Sequence, residues 1–246
     1  MAKQKIADIG LIGGYDLQEI LEQKKWLSIL TEDHGAPSSK IAIGTLSGKK
    51  VAIICRHGLK HTIAPHQINH QANLSALYHL GVRHVICTAA VGAITNIKPG
   101  DFALPHDLID NRGQLTTFFD DENFKHVDMS QPYSEFLRGK IIKAARNLKL
   151  KIHTRATYIC FLGPRLETPA EIRAAKALGA DIVGMTNAPE VILAHELGIE
   201  IVTVAIATNW ATGVSKKPFT HEDIKKIMCK RASQLTKLIV QTIKIL

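Results

Sequence analysis

Short apolar runs alternate with amphipathic segments along the whole chain, and no linker or low-complexity stretch interrupts the rhythm. That alternation constrains the fold more than any single residue. Apolar runs are predicted at 6–12, 40–46, 51–56, 84–90, 102–104, 154–161, 181–184 and 199–207. They are of strand length and rich in Ile and Val. Between them, helical spacing is predicted over 17–27, 67–80, 133–148, 169–178, 190–197 and from Thr220 onward. In the last of these, Ile224, Ile227, Met228, Leu235, Leu238 and Ile239 share one face, and Thr220 with Asp223 forms the start of a capping box. Ser47-Gly48-Lys49 is predicted to close a hairpin. Strands alternating with helices imply a single α/β domain over residues 1–246 with a largely parallel sheet, and such sheets bind ligands beyond the carboxyl ends of their strands.

Composition narrows the function classes. At 246 residues the chain is long enough for one large domain with a substantial core, and aromatics are only 5%, so that core must be aliphatic. No apolar run approaches the ~20 residues needed to span a bilayer, which excludes a membrane-spanning helix. The N-terminal apolar run is too short for a signal peptide. Cys55, Cys87, Cys160 and Cys229 are far apart and lack metal-ligand spacing, so they read as reduced thiols of a cytoplasmic protein. No HExxH or related pattern occurs among the 12 histidines, and no metal is expected. The net charge of +9 comes from scattered lysine pairs without interleaved aromatics. This reads as a solvated surface that favours small anions rather than as a nucleic-acid interface.

Several segments have chemistry suited to a ligand. Gly13-Gly14 follows a strand, where backbone N–H groups cradle an anion or simply turn the chain. Arg56-His57-Gly58 ends another strand, as a forked phosphate contact or as a solvent-facing turn. Thr88-Ala89-Ala90-Val91-Gly92 has small residues where a ligand approaches the backbone or where elements pack tightly. Glu190, after Met185-Thr186-Asn187, either binds a sugar diol or serves the first turn of a helix. Glu167 and Asn209 pair a carboxylate acceptor with an amide that donates and accepts. Together they match the N1–H, O6 and N7 edge of a 6-oxopurine. No Ser-His-Asp or Cys-His signature supports a covalent nucleophile.

Arg56-His57-Gly58, His61-Thr62-Ile63-Ala64-Pro65, Asn69-His70-Gln71-Ala72-Asn73, Gly163-Pro164-Arg165 and Met185-Thr186-Asn187-Ala188-Pro189-Glu190 occur in one order along the chain. In that order they resemble the trimeric purine nucleoside phosphorylases and methylthioadenosine phosphorylases. The resemblance runs from Ile9 to the final helix. It implies an α/β fold around a mixed, partly barrel-like sheet flanked by helices. It implies a homotrimer, with a hexamer as the alternative, and phosphorolysis of a purine nucleoside as a step of purine salvage. Inorganic phosphate is then the co-substrate and no cofactor is needed.

The resemblance also assigns roles. Phosphate falls to Gly14, Arg56, His57, Ala90 and Thr186, and the purine to Ala90, Gly92, Leu166, Glu167 and Asn209. The ribose falls to Met185, His126 and His221. Asn209, Glu167 and His57 are placed nearest the reacting atoms. The methylthioadenosine branch has other residues at the Glu167 and Asn209 positions, notably an aspartate at the latter, so this chain carries the 6-oxopurine pair. His221 suits a 5′-hydroxyl, whereas His61-Thr62-Ile63 and His126-Val127-Asp128-Met129 resemble the methylthio branch. Methylthioinosine is therefore the alternative substrate. Two residues depart from the family pattern, Tyr15 after the diglycine and Asn187 after Met185-Thr186. They leave open a purine-binding member with poor or phosphate-independent turnover. Tyr15 is expected to weaken phosphate binding, so Tyr15→Thr lowers the phosphate KM, and a gain of phosphorolysis from an inactive parent points to that alternative.

Overall fold

The computed structural model describes residues 5–14, 17–216 and 220–246, with His221 described for its backbone alone. Tyr15 lies outside the described residues, as does the side chain of His221.

One branched sheet forms the centre. Strand β1 (Ile9–Gly13) runs parallel to β4 (Lys49–Cys55) on one side and to β5 (His84–Ala93) on the other. β2 (Glu22–Leu27) and β3 (Ile41–Leu46) extend that edge antiparallel. The sheet divides at β5. One branch continues antiparallel through β10 (Ile182–Gly184), then parallel through β9 (Thr157–Cys160) to β7 (Asp107–Asp110). The other pairs β5 in parallel with β11 (Glu200–Trp210), then passes through β6 (Phe102–Ala103) to β8 (Ile152–His153). The sheet is thus mixed, with most of its strand pairings parallel as expected, and it divides at β5.

The strand period of two sorts side chains between two faces. Leu11, Ile53 and Ile86 face α2 (Glu135–Asn147) and α5 (His221–Lys244), where they meet Leu137, Ile141, Leu238 and Ile239. Their neighbours Ile12, Ile54 and Cys87 face α1 (His70–His79) and α4 (Asn187–Glu196), where they meet Leu74, Leu77, Val191 and Leu193. Each fully buried Leu or Ile contributes roughly 2 kcal/mol. The fifth helix, α3 (Pro169–Ala177), packs Ile172 with Ala211 and Val183 near the fork.

The structure adds two short strands the sequence reading did not predict, β7 and β8, and replaces one predicted element. The segment 17–27 is a short 3-10 turn, Leu17–Ile20, followed by strand β2, where a continuous helix is expected. Gln23 sits at φ 50°, outside helical backbone, and β3 offers a free edge to pair with. Lys24 and Lys25 leave β2 a charged outer edge, a common guard against sheet-to-sheet association.

Candidate active site

The carboxyl ends of β1 and β4 meet at Arg56, against the middle of β5. Its backbone N–H donates to Gly13 O at 2.9 Å, tying the end of β4 to that of β1. Gly13 must be glycine there, because a Cβ would stand 2.5 Å from Thr88 Oγ1. The Arg56 side chain is neither a solvent-facing turn nor open to solvent; it is 2% exposed. Nη1 donates to Thr88 O at 2.9 Å, Nη2 donates to Glu190 Oε2 at 2.9 Å, and Nε donates to Glu190 Oε1. The guanidinium fork is therefore spent on Glu190, not held free for an anion. Burial opposes the Arg56 charge, but the Glu190 carboxylate outweighs it and raises the guanidinium pKa above its ordinary value.

Glu190 is fully buried in the first turn of α4, so it does not present a free carboxylate to a sugar diol. Asn187 Nδ2 donates to its Oε2 at 3.2 Å, and the Tyr133 hydroxyl donates to Asn187 Oδ1 at 2.6 Å. His70 Nδ1 is 3.9 Å from Glu190 Oε1. Burial, with Arg56 next in importance, holds His70 well below its ordinary pKa, so this imidazole is neutral. Sequence reasoning missed Tyr133, Asn187 and His70 as one cluster. Their meeting depends on contacts between α1, α4 and the segment before α2.

His57 and Thr186 offer polar atoms beside this cluster. His57 Nδ1 lies 2.8 Å from Ile63 O. A carbonyl only accepts, so Nδ1 carries the proton and Nε2 keeps a lone pair. Burial, reinforced by the Arg56 charge, pushes His57 down to about 4 and leaves it neutral near pH 7. Thr186 is buried and stands at the N-cap of α4, yet its hydroxyl makes no capping bond. Next to it, Met185 is half-buried against Gly163, where a Cβ would come within 2.5 Å of the Met185 sulfur.

Three of the purine candidates, Ala90, Gly92 and Asn209, lie where β5 meets β11. Along β5 the burial is continuous from Val85 to Ala93 except at Ala90, which is exposed. Ala90 therefore leaves the backbone of a central strand open to close approach. Opposite, β11 slips register between Ala207 and Asn209, a bulge that leaves Thr208 unpaired and sets Asn209 across from Gly92. Thr208 Oγ1 donates to Asn209 Oδ1 at 2.9 Å, and Asn209 Nδ2 donates to Trp210 O at 2.9 Å. Because Trp210 O only accepts, the amide orientation is fixed, with one N–H and one lone pair to spare. Glu167 is 5% exposed, while Leu166 before it is 50% exposed. Burial raises the Glu167 carboxyl above its ordinary pKa. Its loop is joined to the β11 branch where Gly213 packs on Pro169 and Ile172 on Ala211.

A cavity of about 220 Å³ lies beside Met185, walled by Pro65, Ile68, His70, Arg112, Leu115, Leu162 and Pro189. Glu167, Asn209 and Gly92 do not line it, so Met185 is the predicted site residue it touches. The 111–134 loop forms its outer wall and is fastened to the body by Glu196 of α4. Glu196 accepts from Thr117 Oγ1 at 2.7 Å and from Phe118 N at 2.6 Å. His126 is exposed on this loop, its ring 5.6 Å from that of Phe124, and it is not among the cavity's walls. No helix among the described residues is long and apolar enough to cross a membrane.

Comparison with known proteins identifies the family. Residues 8–244 match the family model described as the Phosphorylase superfamily. The chain is 42% identical to the 6-oxopurine nucleoside phosphorylase of Pyrococcus furiosus, over 96% of this chain and 91% of that one. It is 37% identical to a probable S-methyl-5′-thioinosine phosphorylase of Thermodesulfovibrio yellowstonii, over 98% and 92%. Among solved structures, a methylthioadenosine phosphorylase from an Antarctic soil metagenomic library superposes with a TM-score of 0.92. It is 34% identical and is matched over 98% of this chain and 87% of that one. The chain belongs to the phosphorylase superfamily.

Proposed function

We propose that this protein is a pentosyltransferase that cleaves a 6-oxopurine nucleoside, inosine or guanosine, with inorganic phosphate, releasing the base and ribose 1-phosphate. The observation that supports the reading is the amide of Asn209, fixed in orientation opposite Gly92 of β5, and Glu167, buried on its loop, is taken as its partner at the base. Cleavage builds positive charge on the sugar and negative charge on the base. Glu167 accepts from N1–H, while Asn209 offers a spare N–H to O6 or N7 and a spare lone pair to a proton at N7. Phosphate lies against the ends of β1 and β4 and the middle of β5, held by Gly14, Thr186, the Ala90 backbone and the remaining Nη1 hydrogen of Arg56. His57, neutral with its lone pair on Nε2, accepts from a protonated phosphate oxygen. Met185 floors the ribose.

Phosphate is the co-substrate and no cofactor takes part. We place the enzyme in the cytoplasm, in purine salvage, as a homotrimer in which His126 comes from the neighbouring subunit to the 5′ end of the sugar. Incubating inosine with and without phosphate and measuring ribose 1-phosphate tests the reading. Release of hypoxanthine must depend on phosphate, and equal release without it rejects phosphorolysis. One observation favours a second substrate. The cavity beside Met185 has mostly polar walls, with His70, Gln71, Arg112 and Thr117 among them, but Pro65, Ile68, Leu115, Leu162 and Pro189 give it an apolar part suited to a 5′-methylthio group. Competition between inosine and methylthioinosine in one reaction decides which is preferred.

A further inference from the structure

A buried polar chain ties the end of the 111–134 loop to Arg56. Tyr133, Asn187 and Glu190 are each no more than 1% exposed. The Tyr133 hydroxyl donates to Asn187 Oδ1 at 2.6 Å, Asn187 Nδ2 donates to Glu190 Oε2 at 3.2 Å, and Arg56 Nη2 donates to the same oxygen at 2.9 Å. One charge fixes every polarity in this chain. Because the Glu190 carboxylate only accepts, Asn187 turns its amide nitrogen toward it. The amide oxygen then faces Tyr133, whose hydroxyl is left to donate. Glu190 Oε2 has both lone pairs occupied, and turning it away from Arg56 strands the Asn187 N–H in a buried site. A Leu at 187 offers neither an acceptor for the Tyr133 hydroxyl nor a donor to Glu190, and an Asp would set a second carboxylate against Glu190.

We propose that Asn187 and Tyr133 are positioning residues for phosphate. They lock the Glu190 rotamer, and Glu190 presents the Arg56 guanidinium in a single orientation. Bonds to described residues use four of its five N–H hydrogens, counting a weak 3.4 Å contact from Nη2 to Ile12 O. Orientation therefore decides where the fifth points. The inference rests on the reading of Arg56 as a phosphate ligand. It also gives the unusual asparagine after Met185-Thr186 a use at a distance from the anion.

The test varies phosphate and inosine independently for the wild type, Tyr133→Phe and Asn187→Ala, and follows the melting shift produced by added phosphate. Both variants are expected to raise the phosphate KM about tenfold, to change the inosine KM less than twofold, and to show a smaller phosphate-induced melting shift. Variants that melt earlier but keep the wild-type phosphate KM show a merely structural chain and overturn the inference alone. So does a parallel loss in both substrates. A wild type indifferent to phosphate in rate and in melting removes the phosphorolysis reading, and this inference with it.

Discussion

Replacing Glu190 by Gln removes the charge that neutralises Arg56 while changing the side chain's volume little. Arg56 and Glu190 are 2% and 0% exposed, so neither can turn to water. Breaking one partner of a buried pair costs about 3–5 kcal/mol, because the remaining charge is left uncompensated. The substituted amide also sets its NH₂ group either against Arg56 Nε or, in the other orientation, against both Arg56 Nη2 and Asn187 Nδ2, and a flip of Asn187 relieves only the last of these clashes. For a chain of 246 residues each kcal/mol moves the midpoint by roughly 2–4 °C, which gives a loss on the order of 10 °C. Thermal unfolding of Glu190→Gln without phosphate measures this directly. Added phosphate supplies a negative charge to the stranded guanidinium, so it should raise the midpoint of Glu190→Gln more than that of the wild type. A variant that melts within about 2 °C of the parent refutes the argument that the pair is a closed, mutually dependent unit.

Other expectations follow from the site. Thr186→Val removes a buried hydroxyl that caps nothing, so it should leave the melting midpoint nearly unchanged while raising the phosphate KM about tenfold. Asn209→Asp should depress inosine turnover and relatively favour adenosine, since a carboxylate accepts from a 6-amino group; initial rates on both nucleosides check it. His57 titrates near 4 in the fold against an ordinary 6.5, so the unfolded chain binds more protons between those values. Stability should fall as pH drops from about 6.5 to 4, by up to ~3 kcal/mol from this residue, and denaturant unfolding at several pH values reads the slope.

Much of this molecule was legible in its residues, and the parts that were not share a cause. Thr220 and Asp223 form the capping box at the start of α5, and Ser47 and Gly48 turn the β3–β4 hairpin, because both devices are local. The strand β2 was hidden, because Leu17, Ile20, Leu21, Trp26 and Leu27 carry helical spacing while a free neighbouring edge determines the outcome. Arg56 reads in the sequence as an anion fork, but its partner Glu190 lies 134 residues away and turns that fork into a buried ion pair. The bulge at Thr208 was equally invisible. It depends on β11 pairing with β5, and it alone brings Asn209 opposite Gly92.

The central claim is that Glu167 and Asn209 select a 6-oxopurine for phosphorolysis. Adenine lacks the N1 proton, so it meets the buried Glu167 carboxylate lone pair to lone pair, a mismatch expected to discriminate at least a hundredfold. The most direct test is the ratio of kcat/KM for inosine over adenosine at saturating phosphate, in the wild type and in Glu167→Gln. The wild type should favour inosine by that factor, and the variant, whose amide can donate to N1 of adenine, should lose most of the preference. Equal wild-type rates on the two nucleosides, or a preference untouched by Glu167→Gln, would contradict it.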